Sequence, residues 1–284
     1  MNDKKIEEYI KLGEYNTLEV YKEVDFGLYL KSQEENDEVL LPKRYVPAGT
    51  KMGDILEVFV YSDSEDRYVA TTDKPMAVVG EFGNFEVVDT SKFGAFVDWG
   101  LPKNLFVPLS TQKRNLKKGD KVIGKIKYDE KTDRLFLDAK IGRNIEVAKG
   151  FERNDKVDIL VLAKTPLGYK VIVNNKYEGM LFDNEIFEDI KVGDKRSAYV
   201  KTNREDGKLD LILQPIGKRQ NRDNGYYKVL EKLQEIKQTS LTSKSDADEI
   251  KKEFGVSKKA YKAILQKLLK EDKIELNEDG VKLK

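Results

Sequence analysis

The chain contains no cysteine and no histidine in 284 residues. Without cysteine a disulfide-stapled secreted fold is excluded, and a reducing, cytoplasmic setting is the expectation. Without histidine there is no Ser-His-Asp or Cys-His triad, no imidazole acid–base catalyst and no histidine-containing zinc site. Catalysis would have to rest on carboxylates, lysine or tyrosine, so the expectation is a protein that is not an enzyme. Long apolar runs are missing as well. No stretch approaches the ~18 apolar residues of a spanning helix, 36% of residues are charged, and the mean hydropathy is −0.61. No membrane partner is expected, and Met1 to Glu8 carry no apolar signal core. Nor is there an excess of one charge. The net charge is +1, with 16 Lys/Arg against 12 Asp/Glu over residues 219–284 and 36 against 39 before them. Nucleic-acid binding in the first three quarters would therefore need stacking and local patches rather than bulk charge.

What is present is a repeated β pattern. The stretch Val87 to Ser110 reads V-V-D-T-S-K-F-G-A-F-V-D-W-G-L-P-K-N-L-F-V-P-L-S, short β-rich runs broken by turn residues. Gly94 inside the run Phe93 to Val97 suggests a bulge, which would bring Phe93 and Phe96, of opposite parity, to one face. The pattern occurs three times. Phe26-Gly27-Leu28-Tyr29-Leu30 and Leu167-Gly168-Tyr169-Lys170-Val171 stand where Phe93-Gly94-Ala95-Phe96-Val97 stands in the middle copy. A Gly-Asp turn follows at Gly53, Gly119 and Gly193, 26, 25 and 25 residues after the first glycine. Strand-like runs come next (Ile55 to Tyr61, Lys121 to Tyr128, Arg196 to Lys201). Then come an acidic turn with a basic residue (Arg67, Arg134, Lys208) and a last strand (Tyr68 to Thr71, Leu135 to Asp138, Leu209 to Leu213). Units of this size with about five strands fit Greek-key barrels of the OB type. The Gly-Asp pairs are read as structural.

Beyond Gly225 the period changes to helical. Tyr226, Val229, Leu230, Leu233 and Ile236 form one amphipathic stripe. A second helix runs from Ser245-Asp246 to Phe254-Gly255. A third is capped by Ser257 and turns Ala260, Ile264, Leu265, Leu268 and Leu269 inward. Lys273 to Leu276 and Val281 to Leu283 flank Asn277-Glu278-Asp279-Gly280 as a hairpin. The expected architecture is multidomain and mainly β: three five-stranded barrels of the S1/OB type at 1–74, 75–145 and 146–217, then an α+β winged helix at 218–284, with a basic linker around Arg219.

The motifs F-G-A-F-V-D (Phe93 to Asp98), L-F-V-P-L-S (Leu105 to Ser110), G-D-K-V-I-G-K-I (Gly119 to Ile126) and D-R-L-F-L-D (Asp133 to Asp138) resemble an S1 RNA-binding domain, best in the second unit. Three such units followed by a winged helix resemble the conserved virulence factor B family of bacterial RNA-binding regulators. The resemblance implies that Phe93 and Phe96 stack on bases and that Arg134 is the accompanying cation. Phe26 and Tyr29 match in the first unit. The histidine usual in S1 domains falls at Pro108, and at Phe182 in the third unit. There Leu167 and Lys170 hold the aromatic positions, with Tyr169 displaced by one.

Elementary chemistry points the same way, because unpaired bases offer ring faces to aromatics and phosphates to cations. Phe106, Lys92, Lys103, Lys125 and Lys127 would extend such a surface. The alternatives are that Phe93 is core, that the lysines are a solvated face, and that Trp99 or Phe106 packs against a neighbouring unit. Tyr177 and Phe187 are read as structural. On the third helix Lys258, Lys259, Lys262 and Lys267 lie off the apolar stripe, with Lys273, Lys282 and Lys284 on the wing. Only Gln266 there suits base readout, so backbone contact to RNA, contact to a protein, or a solvated face all fit. The expected partner is single-stranded RNA, with post-transcriptional control, virulence genes included, as the implied role. Duplex DNA bound through the winged helix and an accessory role in RNA processing or decay are the alternatives. No metal or small-molecule cofactor is implied. Asp183, Glu185, Glu188 and Asp189 are close in sequence, and a charged loop or helix explains them.

Overall fold

The computed structural model of the protein describes residues 6–186, 188–215, 220–277 and 280–284. The basic linker at Arg219, Phe187 and the Glu278-Asp279 turn lie outside the described residues. Three barrels share one topology. The first is built from β1 (Tyr15–Val24), β2 (Gly27–Lys31), β3 (Glu38–Pro42), β4 (Ile55–Ser62) and β5 (Tyr68–Thr71). The second comprises β6 (Phe82–Ser91), β7 (Gly94–Asp98), β8 (Leu105–Pro108), β9 (Lys121–Asp129) and β10 (Arg134–Asp138). The third comprises β11 (Lys156–Thr165), β12 (Gly168–Val173), β13 (Tyr177–Phe182), β14 (Lys195–Asn203) and β15 (Leu209–Ile212). In each, the third strand pairs in parallel with the fifth, and the fourth closes antiparallel on the first.

The repeat landmarks have physical reasons. Gly53, Gly119 and Gly193 sit at φ of +85°, +87° and +94°, which only glycine adopts without strain, at the turn before the fourth strand. The closing bulge, however, is not at Gly94. Ser91 faces Gly94 and Thr90 faces Ala95 without a break, and the register shifts instead between Val87 and Asp89. The same shift falls between Val20 and Lys22 and between Val161 and Ala163. One extra residue in each long first strand coils it far enough to serve two neighbours.

The protein forms two compact units, Met1–Ile145 and Glu146–Lys284. In the first, barrels 1 and 2 share a core: Phe59, Tyr61 and Val69 belong to the same buried cluster as Phe85, Val97 and Trp99. The rings of Phe59 and Trp99 meet edge-on at 5.8 Å, a contact worth about 0.5–1.5 kcal/mol beyond the area it buries. Trp99 thus packs on the neighbouring barrel, the alternative open from sequence.

The second unit holds barrel 3 and the winged helix. The latter consists of α1 (Gln220–Ile236), β16 (Gln238–Thr239), α2 (Ala247–Phe254), α3 (Lys258–Lys270), β17 (Ile274–Asn277) and β18 (Gly280–Leu283). Asp246 caps α2 by accepting from the Asp248 and Glu249 amides, Gly255 ends it at φ +65°, and Ser257 caps α3. Two expectations need correction. Leu269 is 45% exposed, whereas Tyr261, not expected inside, is fully buried and stacked on Phe254 at 4.7 Å. The tyrosine hydroxyl makes this burial possible by donating to the Leu241 carbonyl at 3.0 Å. β16, also unexpected, adds a third strand beside β18. Among the described residues no helix is long and apolar enough to cross a membrane.

Candidate nucleic-acid interface

Lys92 and Phe93 form the tip of the β6–β7 hairpin, so Phe93 is a turn residue and strand parity does not govern it. The Ser91 hydroxyl fixes the tip, accepting from the Phe93 amide at 3.2 Å and donating to the Gly94 carbonyl at 3.3 Å. Phe93 is 66% exposed, with the Lys92 ammonium 4.9 Å from its ring centroid. Gly94 must lack a side chain, because a Cβ there would lie 2.3 Å from the Val107 carbonyl oxygen and 2.8 Å from the Phe106 ring.

From Gly94 onward side chains alternate. Ala95, Val97, Leu105, Val107 and Leu137 point into the barrel, leaving Phe96, Phe106 and Phe136 half-buried on the outer face. Register puts these three in one row. Phe96 lies opposite Phe106 across β7–β8, and Phe106 lies beside Phe136 across the parallel β8–β10 pair. Lys127 faces Phe136 from β9. The Phe96 and Phe106 rings are 5.2 Å apart and tilted by 43°. Phe136 stands in the quoted D-R-L-F-L-D motif, but only the parallel pairing makes it part of the surface.

A cleft of roughly 810 Å³ opens over this row, lined by Phe93, Phe96, Phe106 and Phe136 of barrel 2 and by Ser62, Ser64 and Asp66 of barrel 1. The expected phosphate contacts are already engaged. The Asp66 carboxylate accepts from the Arg134 guanidinium and, at 2.8 Å, from the Lys103 ammonium, which also donates to the Asp63 carbonyl at 2.6 Å. Lys103, then Arg134, hold the Asp66 carboxyl below the usual carboxylate range. Lys127 lies 3.3 Å from Asp138, whose carboxylate is fully buried. Burial disfavours the Asp138 charge. Hydrogen bonds from Arg143 (2.7 Å to each oxygen), Asn144 (2.9 Å) and the Lys140 amide outweigh it and lower the pKa. Arg143 also lines the cleft; it belongs to the segment after the barrel, outside the repeated pattern.

The other barrels lack the full row. In barrel 1 Phe26 is 59% exposed at the equivalent tip, but the row reads Tyr29, Leu40, Val69, with Lys22 5.2 Å from the Tyr29 ring. In barrel 3 the tip is Leu167 and the row reads Lys170, Met180, Asp210. Tyr169 lies opposite core residue Leu181 and packs against the barrel interior, with the Lys164 ammonium 4.2 Å from its ring. Tyr177 packs on the same core. Asp183, Glu185 and Glu188 pair with Lys164, Lys201 and Arg196. Among the described residues no group of three or more such side chains is placed to hold a metal ion.

In the winged helix Lys258 donates to the Lys244 carbonyl at 3.1 Å, while Lys259 and Lys262 are exposed on α3 beside Gln266. The wing cations are engaged: Lys273 with Tyr226 and Glu271, Lys282 with Glu275, Lys284 with Asp272.

Comparison with known proteins places an S1 domain match at residues 12–73, the first barrel, and a CvfB-like winged helix domain match at 227–283. Uncharacterized protein YitL of Bacillus subtilis (strain 168) is 27% identical over 276 residues, 92% of this chain and 90% of that protein. Conserved virulence factor B of Staphylococcus epidermidis (strain ATCC 12228 / FDA PCI 1200) is 22% identical over 245 residues, 82% and 81% of the two chains. Its namesake in Staphylococcus saprophyticus is 21% identical over 230 residues, 78% and 76%. A crystal structure of a multidomain protein with nucleic acid binding domains from Streptococcus pneumoniae TIGR4 shares 26% identity and covers 96% of this chain and 98% of its own, with a TM-score of 0.43.

Proposed function

We propose that the chain is a member of the conserved virulence factor B family, by its domain make-up and its likeness along most of its length, and that it is a non-catalytic regulator that binds single-stranded RNA. Barrel 2 stacks bases on Phe93, Phe96, Phe106 and Phe136. Arg134, Lys103, Lys127 and Arg143 face the phosphates, and Lys259 and Lys262 of α3 add contacts elsewhere on the strand. The role that follows is post-transcriptional control in the cytoplasm, extending to virulence genes where the organism has them. The row of three phenylalanines in register across β7, β8 and β10 carries this reading. An outer strand face holding three adjacent rings has no packing partner among the inward-facing residues, and stacked bases would bury it. Each stacked base contributes about 1–3 kcal/mol with little sequence preference.

Ultraviolet crosslinking of unstructured RNA to the full chain, followed by peptide mapping, tests this reading. Crosslinks are expected in the segments containing Phe93, Phe96, Phe106 and Phe136. Crosslinks confined to residues 227–283 would instead make the winged helix the binding module, and a preference for duplex DNA there would favour a transcription regulator. RNA cleavage abolished by EDTA in a homogeneous preparation would reassign the chain to RNA processing.

A further inference from the structure

The two cations that front the phenylalanine row, Arg134 and Lys103, share a carboxylate that comes from a different barrel. Asp66 sits in the β4–β5 turn at φ +61° and reaches across to both. That turn is firmly built: the Asp63 carboxylate accepts from the Glu65 and Arg67 amides at 2.9 and 3.0 Å and from the Arg67 guanidinium at 2.7 Å. The residues at the same turn position in the other barrels do something else. Asp133 accepts from the Tyr68 and Tyr128 hydroxyls, and barrel 3 has Gly207. A carboxylate held between a guanidinium and an ammonium occupies the place a phosphate would take there. Asp66 is also partly exposed, so an incoming anion can replace it.

We propose that Asp66 is a specificity-determining residue of the barrel 2 cleft, standing in for a phosphate so that a ligand must bring bases as well as charge to displace it. This rests on the reading that the cleft binds single-stranded RNA. A phosphate that displaces Asp66 exchanges one anion for another, so the electrostatic gain is small. Net affinity then comes from stacking on Phe96, Phe106 and Phe136. A polyanion without bases pays the same exchange and has no ring to stack.

The test uses the full chain and two probes, unstructured RNA and inorganic polyphosphate of matched charge. Asp66→Asn and Asp66→Gly both remove the carboxylate, and both residue types tolerate a positive φ. Each variant is expected to bind polyphosphate roughly three- to tenfold more tightly than wild type, as befits two exposed ion pairs. RNA affinity should rise by a similar factor, because both ligands displace the same carboxylate, and charge without bases then suffices for binding. Any polyphosphate bound by the α3 lysines is common to all three proteins and cancels in the comparison. Unchanged or weaker polyphosphate binding in both variants, with circular dichroism spectra like wild type, overturns the proposal. Failure of the parent reading is seen separately, as RNA affinity unaltered by Phe93→Ala/Phe96→Ala, a comparison that polyphosphate does not enter.

Discussion

At Gly94 a Cβ would meet the Val107 carbonyl at 2.3 Å and the Phe106 ring at 2.8 Å. Gly94→Ala must therefore spread β7 from β8 and displace Phe106, at a cost of about 1–3 kcal/mol, readable as a lower denaturant midpoint. RNA affinity should fall with it. Asp138 gives a pH-dependent prediction. Its folded pKa is depressed, so the stability it adds is fully present above its unfolded value of about 3.9 and is lost as pH falls through the lower folded value. Asp138→Asn should cost about 2 kcal/mol at pH 7, and the gap to wild type in urea melts should narrow below about pH 4. The positions of Phe93, Phe96 and Arg134 were legible in the sequence because they hold fixed offsets from repeated glycines, although the third copy has Leu167 and Lys170 at the first two. Phe136 and Asp66 were not. Phe136 joins the row only through a parallel strand pairing, and Asp66 acts only through the docking of one barrel on another. No local pattern encodes either contact.

Among elements, the hairpin and its two neighbouring strands are the unit that varies while the barrel stays constant. Turns and strand ends were legible because each copy repeats them for the same steric reason, whereas the bulge, expected at Gly94, falls between Val87 and Asp89. The outer face differs from copy to copy, and barrel 3 carries Lys170 and Met180 where barrel 2 carries Phe96 and Phe106. Lys170→Phe/Met180→Phe, made in a Phe93→Ala/Phe96→Ala background, should restore about fivefold or more of the lost RNA affinity, the worth of one stacked base. Filter binding at fixed salt would read it; no recovery would mean that the row alone does not make a platform. In the winged helix the caps at Asp246 and Ser257 could be read directly, whereas burial of Tyr261 depended on an acceptor twenty residues away at Leu241.

For the whole molecule, the sequence divides the first half into two barrels, but they share a core through Phe59 and Trp99 and a hydrogen bond from the Val79 amide to Gly13. Trp99 is the only tryptophan in the chain and is 3% exposed at that junction. Its fluorescence and the far-ultraviolet circular dichroism of a fragment spanning 1–145 should therefore change together in one urea transition. An earlier fluorescence transition would mean that the barrels separate before they unfold. The same junction brings Asp66 to the barrel 2 cleft, so the platform and its restraint depend on two barrels held as one body. The direct measurement is the affinity of full-length wild type and Phe93→Ala/Phe96→Ala for unstructured RNA at 150 mM salt, with folding checked by circular dichroism. A fall of about tenfold or more in a folded variant is expected if ring faces supply the grip. Equal affinities in two folded proteins would contradict it.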